Sequence, residues 1–265
     1  MHLLVELRLQ NNYSQSDFFN NENYNINIFI NPETDRLLRQ IEKDTIRLED
    51  ITSIARGVGV YHKRVGHTKE IIDADPYQSN VIKDETFVPY LRGKNIKQFW
   101  IDWQGDSFIS YGKWLAEPRE PKYFEGCRIL MRQIPSNRLI VAYIEEKFIT
   151  DQSVFIARFE RVSISPKAVL GILGSSLMAY YFRTKHSEYD ILFPKVKLQH
   201  FKNFPVRIMD LGFQKKIVER VDQIIAIKKP DPLADINALE SEIDRLVYEL
   251  YGLTEEEIKI IEQSI

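Results

Sequence analysis

Apolar positions in the middle of the chain come in short runs, while those of the last third fall three and four residues apart. The pattern predicts a β-rich middle followed by helices. Residues 98–103, 107–111, 127–133, 138–143, 147–150 and 153–159 are runs of apolar, aromatic and β-branched residues, each expected as a strand. Glu145-Glu146 reads as a hairpin turn between two of them, and Pro118 and Pro121 make residues 114–123 a loop or one short helix. Two helix starts share one signature, a polar residue followed by proline at the first helical position. Asn31-Pro32 leads into the stripe Leu37, Leu38 and Ile41, with an end expected near Thr45. Ser165-Pro166 leads into Val169, Ile172, Leu173, Leu177, Tyr180 and Tyr181, expected as one amphipathic helix. Residues 213–228 and 233–251 are two further helices, separated by Pro230 and Pro232 and expected to pack as an antiparallel hairpin. Gly252 occupies the position just past a helix end, and Thr254 with Glu257 forms a capping box for a last short helix. At the other end, residues 1–10 alternate like a strand and the Asn-rich residues 11–27 read as a polar linker. Residues 48–55 lead into Arg56-Gly57-Val58-Gly59-Val60. That Gly-x-Gly lacks the helix and third glycine of a nucleotide fingerprint, so it is expected as a loop between strands.

Charge adds an asymmetry that the net value of -2 hides. Residues 195–229 are rich in Lys and Arg, whereas residues 231–265 are strongly acidic. A basic part joined to an acidic part can bind a polyanion with one and keep the other away from it. Cys127 is the single cysteine, which excludes an intrachain disulfide and a thiolate zinc site and suits a reducing cytosol. No apolar run is long enough to span a bilayer, and the first residues lack the basic start of a signal peptide. The expected location is cytoplasmic.

The densest chemistry lies in Phe87-Val88-Pro89-Tyr90-Leu91-Arg92-Gly93-Lys94-Asn95-Ile96-Lys97-Gln98-Phe99. Pro89 holds Val88 extended, and Arg92-Gly93-Lys94-Asn95 reads as a turn. It offers a guanidinium, ammonium groups and side-chain amides, the donors that phosphates and base edges accept from. A solvated basic turn is the plain alternative. Catalytic motifs are missing by comparison. Asp75-Pro76-Tyr77 lacks the second proline of the loop that holds a flipped adenine, and no Gly-rich cofactor strand precedes it. Glu145-Glu146-Lys147 lacks the upstream acid of a Mg²⁺-dependent nuclease. The five His residues show no ligand spacing, and Cys127 reads as apolar filler of a strand.

The cassette resembles the Pro-Tyr-Leu-Arg-Gly-x-Asp-Ile-x-Arg-Tyr signature of the TaqI-like specificity domain, found in type IIG restriction-modification enzymes and adenine-specific DNA methyltransferases. Asn95 stands where that family has Asp, and Gln98 where it often has Arg. The resemblance continues through Leu48-Glu49-Asp50-Ile51, Arg128-Ile129-Leu130-Met131-Arg132-Gln133-Ile134 and Asp151-Gln152-Ser153-Val154-Phe155. It goes on through Leu170-Gly171-Ile172-Leu173-Gly174-Ser175-Ser176-Leu177, where Gly174 replaces Asn, and Phe204-Pro205-Val206. It ends in Glu242-Ile243-Asp244-Arg245-Leu246-Val247-Tyr248-Glu249-Leu250-Tyr251-Gly252-Leu253-Thr254, which reads as a structural helix end.

The resemblance implies an α+β fold, a curved, mostly antiparallel sheet flanked by helices and followed by a C-terminal antiparallel helical hairpin. The resemblance covers roughly residues 45–265, and the expected organisation has three parts: 1–44 as strand, linker and helix, 45–209 as the DNA target-recognition domain, and 210–265 as a helical segment. The expected partners are double-stranded DNA and a methyltransferase or endonuclease domain or subunit. That partner, not this chain, would hold S-adenosylmethionine and Mg²⁺, so the chain is expected to be non-catalytic by itself. Arg92, Lys94 and Lys97 are expected on phosphates. Base reading is expected from Lys63, Arg64, His67 and Lys69, and from Arg132, Gln133, Asn137 and Arg138, because Arg pairs with guanine and Gln or Asn with adenine. The alternative is a protein-interaction module whose C-terminal helices dock a catalytic subunit, as in type I specificity subunits. A general RNA-binding module is weaker, because no paired surface aromatics mark a strand.

Overall fold

The computed structural model of the chain describes residues 31–160, 164–186 and 195–264. The expected strand at 1–10 and linker at 11–27 lie outside the described residues. The chain divides into two units, Met1–Lys43 and Asp44–Ile265. In the first, α1 (Pro32–Glu42) starts as the sequence dictates: the Asn31 side chain accepts from the Thr34 N–H, Pro32 opens the helix, and Leu37, Leu38 and Ile41 are buried. It ends at Glu42, slightly before the expected Thr45.

The second unit opens with β1 (Thr45–Arg47), paired antiparallel to the late strand β10 (Pro205–Arg207). A one-turn helix α2 (Leu48–Ile51) then leads into β2 (Ser53–Arg56). α3 (Lys69–Ala74), β3 (Gln78–Ser79), β4 (Phe87–Leu91) and β5 (Phe108–Ser110) come next. They are followed by β6 (Arg128–Arg132), β7 (Val141–Ile144), β8 (Ile149–Thr150) and β9 (Val154–Arg158). The expected β-rich middle is thus present, but as two four-stranded sheets rather than one. Their orders are β2-β9-β6-β7 and β3-β5-β4-β8, and neither closes into a barrel. Pairing is antiparallel except between β4 and β8. One core joins the sheets, with Tyr90, Leu91 and Ile149 meeting Leu130, Ala142 and Ile156.

Two expected strand features fail for local reasons. Glu145-Glu146 does not turn a hairpin, because β7 and β8 lie in different sheets. The buried Arg128 guanidinium takes the carbonyls of Gly126 and Glu146 at 2.6 Å each. Those groups are therefore satisfied without a ladder between β7 and β8. Residues 98–103 form no strand but an irregular segment with single bridges, Ile96 to Ile101 and Phe99 to Ala142. Phe99 sits at φ 70°, which breaks extended geometry, and the Gln98 amide donates to the Gly174 carbonyl instead.

The helices follow as α4 (Pro166–Gly174), α5 (Ser176–His186), α6 (Leu198–Lys202), α7 (Leu211–Lys228), α8 (Asn237–Tyr251) and α9 (Glu255–Gln263). The single helix expected from residue 166 to 181 is two, broken at the extended Ser175. Its apolar residues were expected as one stripe; nearly every side chain from Pro166 to Phe182 is buried. A helix apolar all round lies inside the core. α7 and α8 form the expected hairpin, with Arg220 against Glu242 and the Lys228 ammonium closing the turn onto the Ala234 carbonyl. Gly252 ends α8 at φ 64°, and the Thr254–Glu257 capping box starts α9. Tyr251 ties α8 to the strands, its hydroxyl donating to Pro205 O at 2.8 Å.

Candidate nucleic-acid interface

The basic cassette is a strand end and a 3-10 turn. After β4, the Arg92 N–H donates to Asn95 Oδ1 at 2.9 Å and the Asn95 amide donates to Asp102 O at 2.8 Å. Asn95 is buried, so this side chain builds the turn and does not reach outward. An Asp here could accept the first bond but could not donate the second. The Gly93 N–H donates to Ser153 Oγ at 3.1 Å. A Cβ on Gly93 would stand 2.7 Å from that oxygen, which is why the position is glycine. Lys94 is the exposed tip, and Lys97 lies 3.8 Å from Asp102.

The turn packs on residues 151–153. The Asp151 N–H donates to Leu91 O at 2.9 Å, and Arg56 Nε donates to Gln152 O at 2.6 Å. The Arg132 side chain lies beside Gly93. Arg56, Arg92, Lys94 and Arg132 are thereby gathered around one short segment. Asp151 is the acid among them. Burial pushes its carboxyl up, while the Ser153 hydrogen bonds and the charges of Arg92 and Arg56 pull it down.

A second network ties in the loop that follows β2. Arg92 Nη2 donates to Gln78 Oε1 at 2.9 Å, and the Gln78 amide donates to Asp75 Oδ1 at 2.8 Å. The same oxygen accepts from the Tyr61 hydroxyl at 2.8 Å, and that hydroxyl accepts from the Tyr77 N–H at 3.0 Å. Tyr61 and Tyr77 stack at 5.3 Å. Asp75-Pro76-Tyr77 is therefore scaffolding, with its carboxylate and ring already engaged. With these partners, Asp75 and Tyr77 do not fit a pocket for a flipped base.

The sequence-predicted site residues divide into two groups. Lys63, Arg64 and Lys69 are exposed on the loop between β2 and β3. Arg92, Lys94 and Arg132 stand at the turn, with Lys97 just beyond. Asn137 is exposed on the segment after β6. Three others are occupied by the fold. His67 is buried, its Nε2 donating to Trp114 O at 2.9 Å and its Nδ1 accepting from the His62 N–H at 3.1 Å. Gln133 is buried and its amide donates to Gln152 O. Arg138 makes a bidentate pair with Asp244, at 3.0 and 2.6 Å. Asp244 also accepts both the Ser176 N–H and its hydroxyl at 2.8 Å, capping the start of α5. Sequence reasoning missed Arg56, Gln78, Asp75, Asp151, Ser153 and Asp244 as members of these networks. Asp151, Ser153 and Asp244 were visible beforehand only as parts of the motifs that carry the resemblance, and Asp75 only as part of Asp75-Pro76-Tyr77.

The Gly-x-Gly also has a structural cause. A Cβ on Gly57 would lie 2.0 Å from the Asp151 carbonyl, so the chain passes another backbone there, not a phosphate. Among the described residues no helix is long and apolar enough to cross a membrane, and no cluster of His, Cys, Asp and Glu could hold a metal ion.

Residues 88–206 match the family model of the TaqI-like C-terminal specificity domain, a span that includes the basic turn, the 151–153 segment and both sheets' central strands. No curated protein matches the chain. The fold is similar to that of the type IIL restriction-modification enzyme MmeI, solved in complex with DNA, with 10% identity and a TM-score of 0.56 over 82% of this chain and 36% of that one. The type IIG restriction endonuclease BpuSI matches at 14% identity and a TM-score of 0.48, over 82% of this chain and 33% of that one. The HsdS subunit from Thermoanaerobacter tengcongensis matches at 13% identity and a TM-score of 0.41, over 82% of this chain and 50% of that one. The chain thus spans half or less of the length of each. Residues 88–206 are thus similar to a TaqI-like C-terminal specificity domain.

Proposed function

We propose that the chain recognises a target sequence in double-stranded DNA, as the specificity part of a restriction-modification enzyme. One observation carries this reading: Arg92, Lys94 and Arg132 of the matched segment, joined by Arg56 from β2, gather at a single turn whose geometry is fixed by the Asn95 and Ser153 hydrogen bonds. Arg92, Lys94 and Lys97 contact phosphates and set the register of the domain on the duplex. Arg56 joins them from β2. The exposed Lys63, Arg64 and Lys69, together with Arg132 and Asn137, face the base edges. His67, Gln133 and Arg138 support these segments from inside. The catalytic work falls to a partner domain or subunit, an adenine-specific methyltransferase with or without an endonuclease, which supplies S-adenosylmethionine and Mg²⁺. The machine works in the cytoplasm. The 45–209 part reads DNA, and the acidic 231–265 tail faces away from it, because its carboxylates repel phosphate.

A second reading concerns the helical part. A cleft of about 590 Å³ lies between the irregular 99–104 segment and α7, lined by Trp100, Trp103, Phe148, Ile225 and Pro232. Leu233, on the α7–α8 turn, is 93% exposed. These favour docking of a catalytic subunit by the same chain that reads DNA.

The test is a salt titration of binding to a duplex by fluorescence anisotropy. Wild type is expected to bind, with affinity falling steeply as salt rises. Arg92→Ala is expected to weaken binding on every sequence and lower the salt slope by about 1. A changed sequence preference without a changed slope would move Arg92 from phosphate to base contact. Calorimetry with S-adenosylmethionine is expected to show no heat, and a stoichiometric titration would place the cofactor in this chain.

A further inference from the structure

Asp151 and Ser153 lie beneath the basic turn, and neither carries a positive charge toward DNA. Their side chains form a relay. The Gly93 N–H donates to Ser153 Oγ at 3.1 Å, and the Ser153 hydroxyl donates in turn to Asp151 Oδ1 at 2.5 Å. The Ser153 N–H donates to the same oxygen at 2.9 Å. The Asp151 backbone is itself bound to Leu91 O, the last residue of β4. Gln133 fixes the relay from below, its N–H donating to Ser153 O at 2.9 Å. The relay therefore joins the three segments that bring Arg56, Arg92 with Lys94, and Arg132 together.

A carboxylate in the middle of a face meant for phosphate carries a cost, since like charges repel. Its neighbours are Arg56 and Arg92, with Ser153 as hydrogen-bond partner. An acid with no task beneath that face would weaken DNA binding. The geometry gives it one: it orients the Ser153 hydroxyl so that the lone pair faces Gly93. We infer that Asp151 and Ser153 are positioning residues, which hold the Arg92-Gly93-Lys94 turn in the conformation that DNA binding uses. Their contribution comes through the acceptor geometry of Asp151 and not through its charge. This deepens the proposed DNA-recognition role and rests on it.

The relay makes an unusual demand on variants. Asp151→Asn keeps the Oδ1 acceptor and removes the charge. Asp151→Ala and Ser153→Ala remove the relay and no cation. Duplex binding of the full chain, measured against salt, is expected to weaken about three- to tenfold in Asp151→Ala and Ser153→Ala, the worth of one lost hydrogen bond. The salt slope is expected to stay at the wild-type value, because the count of phosphate contacts is unchanged. Asp151→Asn is expected to bind as tightly as wild type or tighter. Melting temperatures of all variants separate lost positioning from lost folding. Amide exchange at Gly93 reads the relay without DNA: protection is expected in wild type and Asp151→Asn, and lost in Ser153→Ala. Unchanged DNA binding in Ser153→Ala, or a Gly93 amide that exchanges freely in wild type, would overturn the inference. So would Asp151→Asn losing as much as Asp151→Ala, since charge would then be what matters. A wild type with a protected Gly93 amide and no DNA binding would overturn the DNA-recognition role itself, and with it the use assigned to the relay.

Discussion

Arg138 illustrates how a residue suited to base reading is spent on architecture. Its guanidinium spans from the segment after β6 to α8, and both partners of the Asp244 pair are largely buried. Burial alone would pull the guanidinium down, and the hydrogen bonds and charge of Asp244 more than reverse this. Removing one member strands the other without its charge partner. Arg138→Ala is expected to destabilise the fold by about 3–5 kcal/mol, measured by urea unfolding, since Asp244 keeps only its Ser176 bonds. Sequence preference on DNA is expected to be unchanged in whatever remains folded. An altered preference with wild-type stability would return Arg138 to the DNA face. Nothing in the local sequence could have assigned it. Arg138 and Asp244 are far apart in the chain, and each looked like an ordinary surface charge until the fold joined them. The Asp244 of the tail motif, read as part of a structural helix end, is in fact what locks that end to the recognition part.

At the level of elements, the junction of α4, α5 and the 98–99 segment is tightly packed. Gly174 stands where the family has Asn, and a Cβ there would lie 2.7 Å from the Phe99 ring and 2.9 Å from the Gln98 amide nitrogen. Gly174→Ala is expected to cost about 1–3 kcal/mol through overpacking, read as a lowered urea midpoint. No loss at all would mean that the 98–99 segment moves freely. The far end of α5 carries a different device. His186 and His200 stack at 4.3 Å, next to Lys185 and Lys197. Burial, with the neighbouring positive charges, pushes the His186 imidazole down to about 3 from the ordinary 6.5, and burial lowers His200 as well. Below 6.5 the unfolded chain takes up protons that the folded chain refuses. Stability is therefore complete above 6.5 and is lost progressively as pH falls toward 3. The urea midpoint is expected to drop between about pH 7.5 and pH 5, and His186→Gln to flatten that drop. A wild-type midpoint constant over this interval would contradict the burial of the pair. Element types were legible wherever local chemistry decides them. Asn31-Pro32, Gly252 and the Thr254–Glu257 box all act as their residue types require. The break at Ser175 was not legible, because its cause is Asp244, in another helix. The absent hairpin at Glu145 was hidden for the same reason, its carbonyl partner being the buried Arg128.

Across the whole molecule, recognition and support share one unit, Asp44–Ile265. β1 paired with β10 closes this unit near its start, and Arg138, Gln98 and Tyr251 attach the helices to the strands. The basic turn lies within the part that matches the specificity-domain family, and the acidic tail lies in the helices outside that match. The resemblance to that family was readable from the cassette, which the matched span includes. The division of its charged residues into outward and inward was not, since that depends on pairing across the two sheets. If this division is right, the chain should select a sequence and not merely hold a polyanion. The direct measurement is selection of bound duplexes from a randomised library at low salt, followed by sequencing. The expected result is enrichment of one defined motif, retained in Arg92→Ala at lower affinity and altered by substitutions at Lys63, Arg64 or Arg132. Binding with no enriched motif, or no binding at low salt, would contradict DNA target recognition by this chain.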